Sequence, residues 1–559
     1  MQETQREEAV QGLTDTDKGS QETMLKGSAW MTGGSILSRI LGAVYIIPWR
    51  IWFAGFFFQA NALYVQGYNV YGVLLIAAIA GIPSAVAKQV AHYNTLNEYG
   101  VGFKLYKRGL LLSISTGIIF ALLLYFAAPL LDNGDPNVIP VMRALSWAIL
   151  VIPTMSLTRG FFQGYQDMAP SAISQFVEQL VRVLYMLITA LLIMHLGVIK
   201  GDWITAVSQS TFAAFMGAVA GLLVLGYYYF KRRHYYRSLV ANSNHQLEVK
   251  TIQLYKEIIQ QAVPFIILGA GVLIFQLIDQ FTFFDLMRVF RNYPEVVLQK
   301  LFAIYAGNAN KLVMITISLA SALAITVVPL LSRAYTNNDH DGIRREIING
   351  LILFEFIMIP SALGMAAIAG PLNRLFNGTG YGHLSANVLS FYSIVSIILG
   401  LFTVISAIMQ GIYQNKLAVK YFIIGTIVKI ICQVPAIALF GTFGPLVATS
   451  IGFIVTNGLI LNSLTKQFHI SYRLVVKRTN QILLFSILTY LTALISVFAF
   501  NWGLGHFMDI HSTIGSGVVT AIAVVLGGGV YIYATLKTRL ADQIVGARVA
   551  RIRNQLHIK

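Results

Sequence analysis

The chain has 559 residues, of which 56% are hydrophobic and only 11% carry a charge, which excludes an ordinary soluble protein. Its net charge of +17 does not indicate nucleic-acid binding, because the basic residues fall in short loops between apolar segments. A single cysteine, Cys432, excludes an intrachain disulfide and a cysteine metal site. The composition therefore predicts an all-α polytopic membrane protein.

About fourteen apolar segments are long enough to cross a bilayer as single helices. Residues 1–26 precede them and are polar with mixed charge, which predicts a cytoplasmic tail and not a signal peptide. The second segment is the least regular, because residues 50–66 are aromatic and interrupted, so a re-entrant or outer-face piece stays open there. In chain order, the predicted spans are 28–49, 63–87, 107–131, 139–161, 171–195, 204–230, 258–283, 303–331, 347–372, 385–412, 418–440, 444–465, 481–501 and 513–536.

The loop charges indicate how these spans are oriented. With an even number of spans, the loops placed inside carry about three times as many lysines and arginines as the loops placed outside, as the positive-inside rule requires. Both termini are therefore expected in the cytoplasm. The basic C-terminal tail is expected to lie against anionic lipid headgroups.

The second half of the chain repeats the first at a spacing of about 245 residues. The clearest matches place a Gln-Gly pair and a following cation at the same separation in both halves: Gln163, Gly164 and Arg182, then Gln410, Gly411 and Lys429. A period this long is typical of a two-lobed transporter, and six spans per repeat would relate the lobes by a pseudo-two-fold axis along the membrane normal. The predicted parts are a cytoplasmic tail (1–26), an N-lobe (27–230), a basic cytoplasmic linker (231–257), a C-lobe (258–466), two additional helices (467–537) and a basic tail (538–559).

Two charged residues lie inside predicted spans at nearly equivalent positions of the repeat, Arg39 in the first span and Asp279 in the seventh. Because a charge in hydrocarbon is costly and by default marks a transport pathway, both are expected to line one central cavity and bind substrate. Snorkelling of Arg39 to the interface, or a structural ion pair for either residue, is the alternative.

Glu178 and Arg182 lie four residues apart on the fifth predicted span, so they share a helix face and are close enough to pair. A structural pair is favoured, and Arg182 is kept as a candidate substrate-binding residue. Four residues before Lys429 stands Gly425, whereas Glu178 stands four residues before Arg182. Lys429 therefore either faces the cavity or pairs with an acid on another helix. Glu355 in the ninth span is expected to seek such a cation.

Several enzyme chemistries are excluded by the sequence. No Gly-Lys pair occurs, so the chain has no Walker A loop for ATP hydrolysis. The His-Glu-x-x-His and Gly-x-Ser-x-Gly motifs are also absent. We therefore expect a transporter and not an enzyme, with no cofactor, no metal site and no nucleic-acid partner. A coupling ion is left open, and a monomer is expected.

Three features are shared with a known group of transporters: the run from Ser38 to Gly42 in the first span, a Gln-Gly pair ending the fourth and tenth spans, and two helices beyond a six-plus-six core. On these features, over about residues 25–540, the chain resembles the multidrug/oligosaccharidyl-lipid/polysaccharide (MOP) flippase superfamily, within it the polysaccharide-transporter branch. The resemblance implies alternating-access export of an undecaprenyl-pyrophosphate-linked sugar across the plasma membrane of a bacterial cell, with lipid II as the leading substrate. It also places Arg39 on the family's first-helix arginine, and gives the two extra helices a groove for the lipid tail.

The chain departs from the lipid II members of that family at two places. Tyr45 stands where they often carry a second arginine, and residues 81–84 followed by Lys88 stand where they favour paired arginines. A different lipid-linked polysaccharide repeat unit therefore stays open as the substrate. Two different functions also stay open: a cation-coupled multidrug antiporter, which needs only the twelve-span core, and a non-transporting membrane scaffold.

Overall fold

The structure is a computed structural model that describes residues 41–42, 45–79, 82–165, 167–196, 202–244, 263–470, 473–504, 509 and 511–555. Throughout these ranges the regular secondary structure is helical. The chain divides into two compact units, and the division falls inside one helix, because Ala54–Val65 group with the second unit whereas Gln66 and the residues after it group with the first.

The helices up to the connection between the units are α1 (Ile46–Phe53), α2 (Phe57–Ile79), α3 (Ile82–Thr95), α4 (Tyr99–Ala127), α5 (Val138–Gly164), α6 (Met168–Leu191), α7 (Trp203–Lys231) and α8 (Arg233–Ala241). Short 3-10 turns lie between α1 and α2 and after α4, and a π-helical turn, Leu192–Leu196, extends α6. The irregular region expected around residues 50–66 is thus the turn Ala54–Phe56, where Ala54 has a φ of +41°.

The later helices are α9 (Val263–Gly269), α10 (Gly271–Arg291), α11 (Glu295–Phe302), α12 (Asn310–Thr336), α13 (His340–Ala367), α14 (Ala369–Asn377), α15 (Gly382–Gly411), α16 (Asn415–Phe440), α17 (Gly444–Phe468), α18 (Arg473–Leu504), α19 (Thr513–Lys537), α20 (Leu540–Val545) and α21 (Ala547–Gln555). A π-helical turn, Ala303–Ala309, joins α11 to α12. The seventh predicted span is bent by 60° between α9 and α10.

Eleven helical stretches within the described ranges are long and apolar enough to cross a membrane, or up to twelve if the bent pair is one span. One of them, residues 415–468, is too long for a single crossing, because 54 residues of helix would measure about 81 Å. It contains both α16 and α17, with a turn at Gly441 between them. The protein is an all-helical, multi-pass membrane protein, whereas the count of fourteen spans and the pseudo-two-fold axis stay predictions, since most of the first segment lies outside the described residues.

The predicted second span, residues 63–87, has the wrong boundaries. α2 begins at Phe57 and ends at Ile79, and α3 begins at Ile82. Pro83 is the second residue of α3, a position where a proline is tolerated because its missing N–H is not needed. The apolar run therefore covers the end of one helix and the start of another.

The glycine of each Gln-Gly pair lies at a close contact between two helices. Gly164 ends α5 and Gly411 ends α15, and a Cβ added at either glycine would come within 2.9 Å of the neighbouring helix, α3 or α12. The carbonyl oxygen of Gly164 accepts a hydrogen bond from Asn94 Nδ2 at 3.3 Å, and that of Gly411 accepts one from Ser332 Oγ at 3.0 Å. The sequence repeat thus marks a close helix contact that is present in both units.

α16 and α17 fold back on each other at two glycines. A Cβ at Gly425 would lie 2.5 Å from the carbonyl oxygen of Gly452, and a Cβ at Gly452 would lie 2.8 Å from that of Gly425. A straight helix would separate these residues by about 40 Å, so their contact shows the reversal directly. Small residues at such crossings let helix backbones approach closely inside a membrane.

We expect Gly452→Ala to lower the free energy of unfolding by about 1–3 kcal/mol, because its methyl group would overlap Gly425 and the side chain of Lys429. Gly458→Ala is the matched control on the same helix, since a Cβ there meets nothing within 4 Å, and it should be neutral or stabilising. Thermal unfolding of the purified protein in detergent measures both. Equal shifts for the two variants would contradict the close crossing.

Candidate transport site

Asp279 and Lys429 form an ion pair inside the second unit. Asp279 lies on α10 and Lys429 on α16, and Lys429 Nζ is 2.6 Å from Asp279 Oδ1. Their side chains are 7% and 0% exposed. The sequence left open whether Lys429 faces a cavity or pairs with another helix, and in this structure it pairs with another helix.

Polar side chains satisfy both members of this pair. Lys429 Nζ also donates to Thr449 Oγ1 on α17 at 2.7 Å, and Gln433 Nε2 donates to Asp279 Oδ1 at 2.9 Å. The ring of Phe275 lies beneath the ammonium, with 5.2 Å between Nζ and the ring centroid. A buried ion pair is tolerated only when such further hydrogen bonds are made, and here they come from α16 and α17.

In the first unit, the cation and its carboxylate partner lie on the same helix, α6. Glu178 Oε1 accepts from Arg182 at 2.8 Å, so the spacing of four residues produces the expected contact. Gly217 packs against the carbonyl oxygen of Glu178, as Gly452 packs against that of Gly425. Gly425 occupies the position equivalent to Glu178 and leaves no room for a side chain, so Lys429 must take its acid from another helix.

A second arginine joins the pair in the first unit. Arg159 on α5 lies 2.8 Å from Glu178 Oε2 and also donates to Ser174 Oγ. The side chains of Arg159, Glu178 and Arg182 are 17%, 13% and 24% exposed, so this cluster is far less sealed than the Asp279–Lys429 pair. Arg159 lies within the fourth predicted span, 139–161, and α5 continues past it to Gly164.

Lys311 is an intramembrane cation that sequence reasoning missed. It is the second residue of α12, inside the predicted span 303–331, and its Nζ donates to Asn61 Oδ1 at 3.0 Å. Asn61 in turn donates to Asn308 Oδ1 at 2.7 Å, and the ring of Tyr64 lies 4.8 Å from the ammonium. The signal was available, since a lysine in an apolar segment indicates a functional or paired position.

The remaining predicted residues lie elsewhere. Glu355 on α13 accepts a hydrogen bond from Thr479 Oγ1 on α18, where we expected a cation as its partner. Arg39 lies outside the described residues, so its prediction rests on the sequence alone.

An apolar groove of about 450 Å³ lies among α13, α18 and α19, all within the second unit. Its lining includes Phe356, Pro360, Gly364, Ala493, Gly528 and Ile532. The groove depends on the two additional helices, because α18 packs on α13 and α19 packs on α18. Such a surface offers van der Waals contact to a hydrocarbon chain and few polar partners to anything else.

The sequence matches known families and individual proteins of membrane transport and polysaccharide biosynthesis. A family model described as a polysaccharide biosynthesis protein matches residues 24–335, and the MatE model matches residues 306–434. Lipid II flippase MurJ of Bacillus subtilis is 34% identical over 542 residues, which cover 94% of this chain and 97% of that protein. The uncharacterized membrane protein YabM of the same organism is 25% identical, with 90% of each chain covered.

Two solved structures share the fold. Lipid II flippase MurJ in an inward closed conformation has a TM-score of 0.58 at 15% identity and covers 92% of this chain and 99% of its own. An inward-facing multidrug resistance MATE family transporter of the MOP superfamily has a TM-score of 0.60 at 14% identity and covers 77% of this chain and 94% of its own. The family model and the full-length relative together show that the chain belongs to the polysaccharide biosynthesis protein family, the family of the MurJ flippases.

Proposed function

We propose that this chain translocates lipid II from the inner to the outer leaflet of a bacterial plasma membrane by alternating access. The observation that carries the proposal is 34% identity to a lipid II flippase over nearly the whole of both chains. The excess of basic residues in the inner loops supports a cytoplasmic location for both termini.

The chemistry of such a substrate sets two requirements. An anionic pyrophosphate must meet cations, and a long polyprenyl chain must stay in hydrocarbon while its headgroup crosses. The apolar groove among α13, α18 and α19 suits the second requirement, because its lining is almost entirely aliphatic, aromatic or glycine.

For the first requirement we propose, within each unit taken by itself, the cations that retain some exposure as contacts for the headgroup. Arg182 and Arg159 share one carboxylate, and Lys311 is held by an amide and an aromatic ring. Arg39 stays in this set on the sequence alone. Asp279 and Lys429 are too enclosed to contact a substrate in this conformation, and we give them an internal role in place of the substrate contact expected from sequence.

A cation-coupled multidrug antiporter is the second candidate, and the fold shared with a MATE transporter favours it. That transporter covers 77% of this chain, whereas the MurJ structure covers 92%. A drug antiporter also has no use for a tail groove built on two additional helices. Efflux of cationic dyes from cells that express this chain would favour this candidate over the flippase.

In cells depleted of this protein, we expect lipid II to become inaccessible to an outside probe and wild type to restore its export. Lys311→Met and Arg182→Gln should reduce the restored export by about tenfold or more at equal expression, since each removes a charge-assisted contact worth roughly 1.5–3 kcal/mol. Lys311→Arg, which keeps the charge, should retain most of the activity.

Arg345→Gln is the control for charge, because the Arg345 side chain is 72% exposed and should be dispensable. The lipid II assignment fails if export continues without the protein in a strain that has no other flippase. The headgroup assignment fails if the Lys311 and Arg182 variants export as well as the control.

Substitutions at two adjacent glycines test whether the apolar groove among α13, α18 and α19 binds the lipid tail. Gly528 lines the groove and Gly529 does not, and a Cβ at either one meets nothing within 4 Å. We expect Gly528→Phe to fill the groove and slow transport of full-length lipid II by about tenfold, since about 60 Å² of lost tail burial costs roughly 1.5 kcal/mol. Gly529→Phe should transport normally.

A lipid II analogue with a short lipid chain separates tail binding from a general defect. It should be transported at similar rates by wild type and by Gly528→Phe. Equal slowing of both substrates would show that the phenylalanine disturbs the helices and not the tail.

A further inference from the structure

The ammonium of Lys429 lies in an oxygen-lined position. Its Nζ is 2.6 Å from Asp279 Oδ1, 2.7 Å from Thr449 Oγ1 and 3.5 Å from Gln433 Oε1. A carboxylate, a hydroxyl and an amide oxygen are also the ligands that proteins offer to hard metal cations. The residues that hold this lysine would therefore suit a small free cation if the lysine were absent.

The charges at this position balance. Asp279 contributes one negative charge and Lys429 one positive charge, and the Lys429 side chain is 0% exposed. A second cation at the same oxygens would face the repulsion of the ammonium in a region of low dielectric constant. The lysine and a bound cation thus exclude each other.

The backbone fixes the lysine in this place. The crossing of α16 and α17 at Gly425 and Gly452 brings the Cβ of Lys429 to 2.9 Å from where a Cβ of Gly452 would lie. The aromatic rings of Phe275, Phe422 and Phe453 stack next to the crossing on the same three helices. Because the stem enters through a packed contact, the ammonium cannot swing away without separating the helices.

We propose that Lys429 is a tethered cation that permanently occupies a monovalent-cation site made by Asp279, Thr449 and Gln433. The second unit then carries its own counter-charge through the transport cycle, and this site needs no alkali cation from solution. This second statement rests on the proposed transport function, whereas the existence of the site does not.

Removal of the tethered cation should uncover the site. Lys429→Ala deletes three methylene groups and the ammonium, which together correspond to n-propylammonium. We expect the unfolding midpoint of this variant to fall by roughly 5–10 °C, because Asp279 is left buried without its partner. Addition of n-propylammonium should recover at least half of that loss, and Na⁺ or K⁺ a smaller part.

Two controls separate a specific site from a general salt effect. Choline is larger and has no N–H to donate, so it should not stabilise Lys429→Ala. The double variant Asp279→Asn with Lys429→Met has neither charge nor vacant space, and it should respond to none of these cations. Wild type should be equally unresponsive. A folded Lys429→Ala that ignores both propylammonium and alkali cations would overturn the proposal.

Lipid II translocation by wild type in proteoliposomes tests the consequence for transport and does not depend on the folding of a variant. The rate should agree within about twofold when Na⁺, K⁺ or choline is the cation on both sides of the membrane. An alkali-cation requirement that disappears in Asp279→Asn would contradict the proposal, since Asp279 would then serve an external ion. If wild type moves no lipid II at all, the proposed function fails, and the thermal measurements still decide whether the cation site exists.

Discussion

A charge inside a bilayer must find a counter-charge or polar partners within the protein, and this constraint governs both units of the chain. In the first unit, Glu178 serves two arginines, one on its own helix and one on α5. In the second unit, a glycine replaces the equivalent acid, so the counter-charge of Lys429 comes from α10. The same helix crossing at small residues accompanies both solutions, with Gly217 in one unit and Gly452 in the other.

The difference between the two solutions has a physical consequence. An acid on the same helix leaves the arginine side chain pointing along the helix surface, where part of it stays exposed. An acid on another helix draws the lysine into the contact between three helices and seals it. One repeated position thus yields a partly accessible cation in one unit and an enclosed cation in the other, although the two cations occupy matching places in the sequence repeat.

Sequence patterns predict what depends on neighbouring residues. Apolar runs locate most of the described spans, although several predicted ends differ from the helix ends by up to eight residues. A spacing of four predicts the contact of Glu178 with Arg182. The partner of Lys429 could not be predicted, because Asp279 lies 150 residues away and only the packing of α10 against α16 joins them. The grouping of Ala54–Val65 with the second unit was equally hidden, since it depends on contacts such as Asn61 with Asn308.

The two additional helices follow from the substrate that we propose. Transfer of a polyprenyl chain out of hydrocarbon costs about 0.8 kcal/mol for each methylene exposed to water, so a long tail cannot follow its headgroup through a polar path. In the proposed function, the groove along α13 keeps the tail in an apolar environment while the headgroup meets the cations. In this proposal, the opposite demands of headgroup and tail assign the cations and the groove to different helices, and α18 and α19 supply part of the groove.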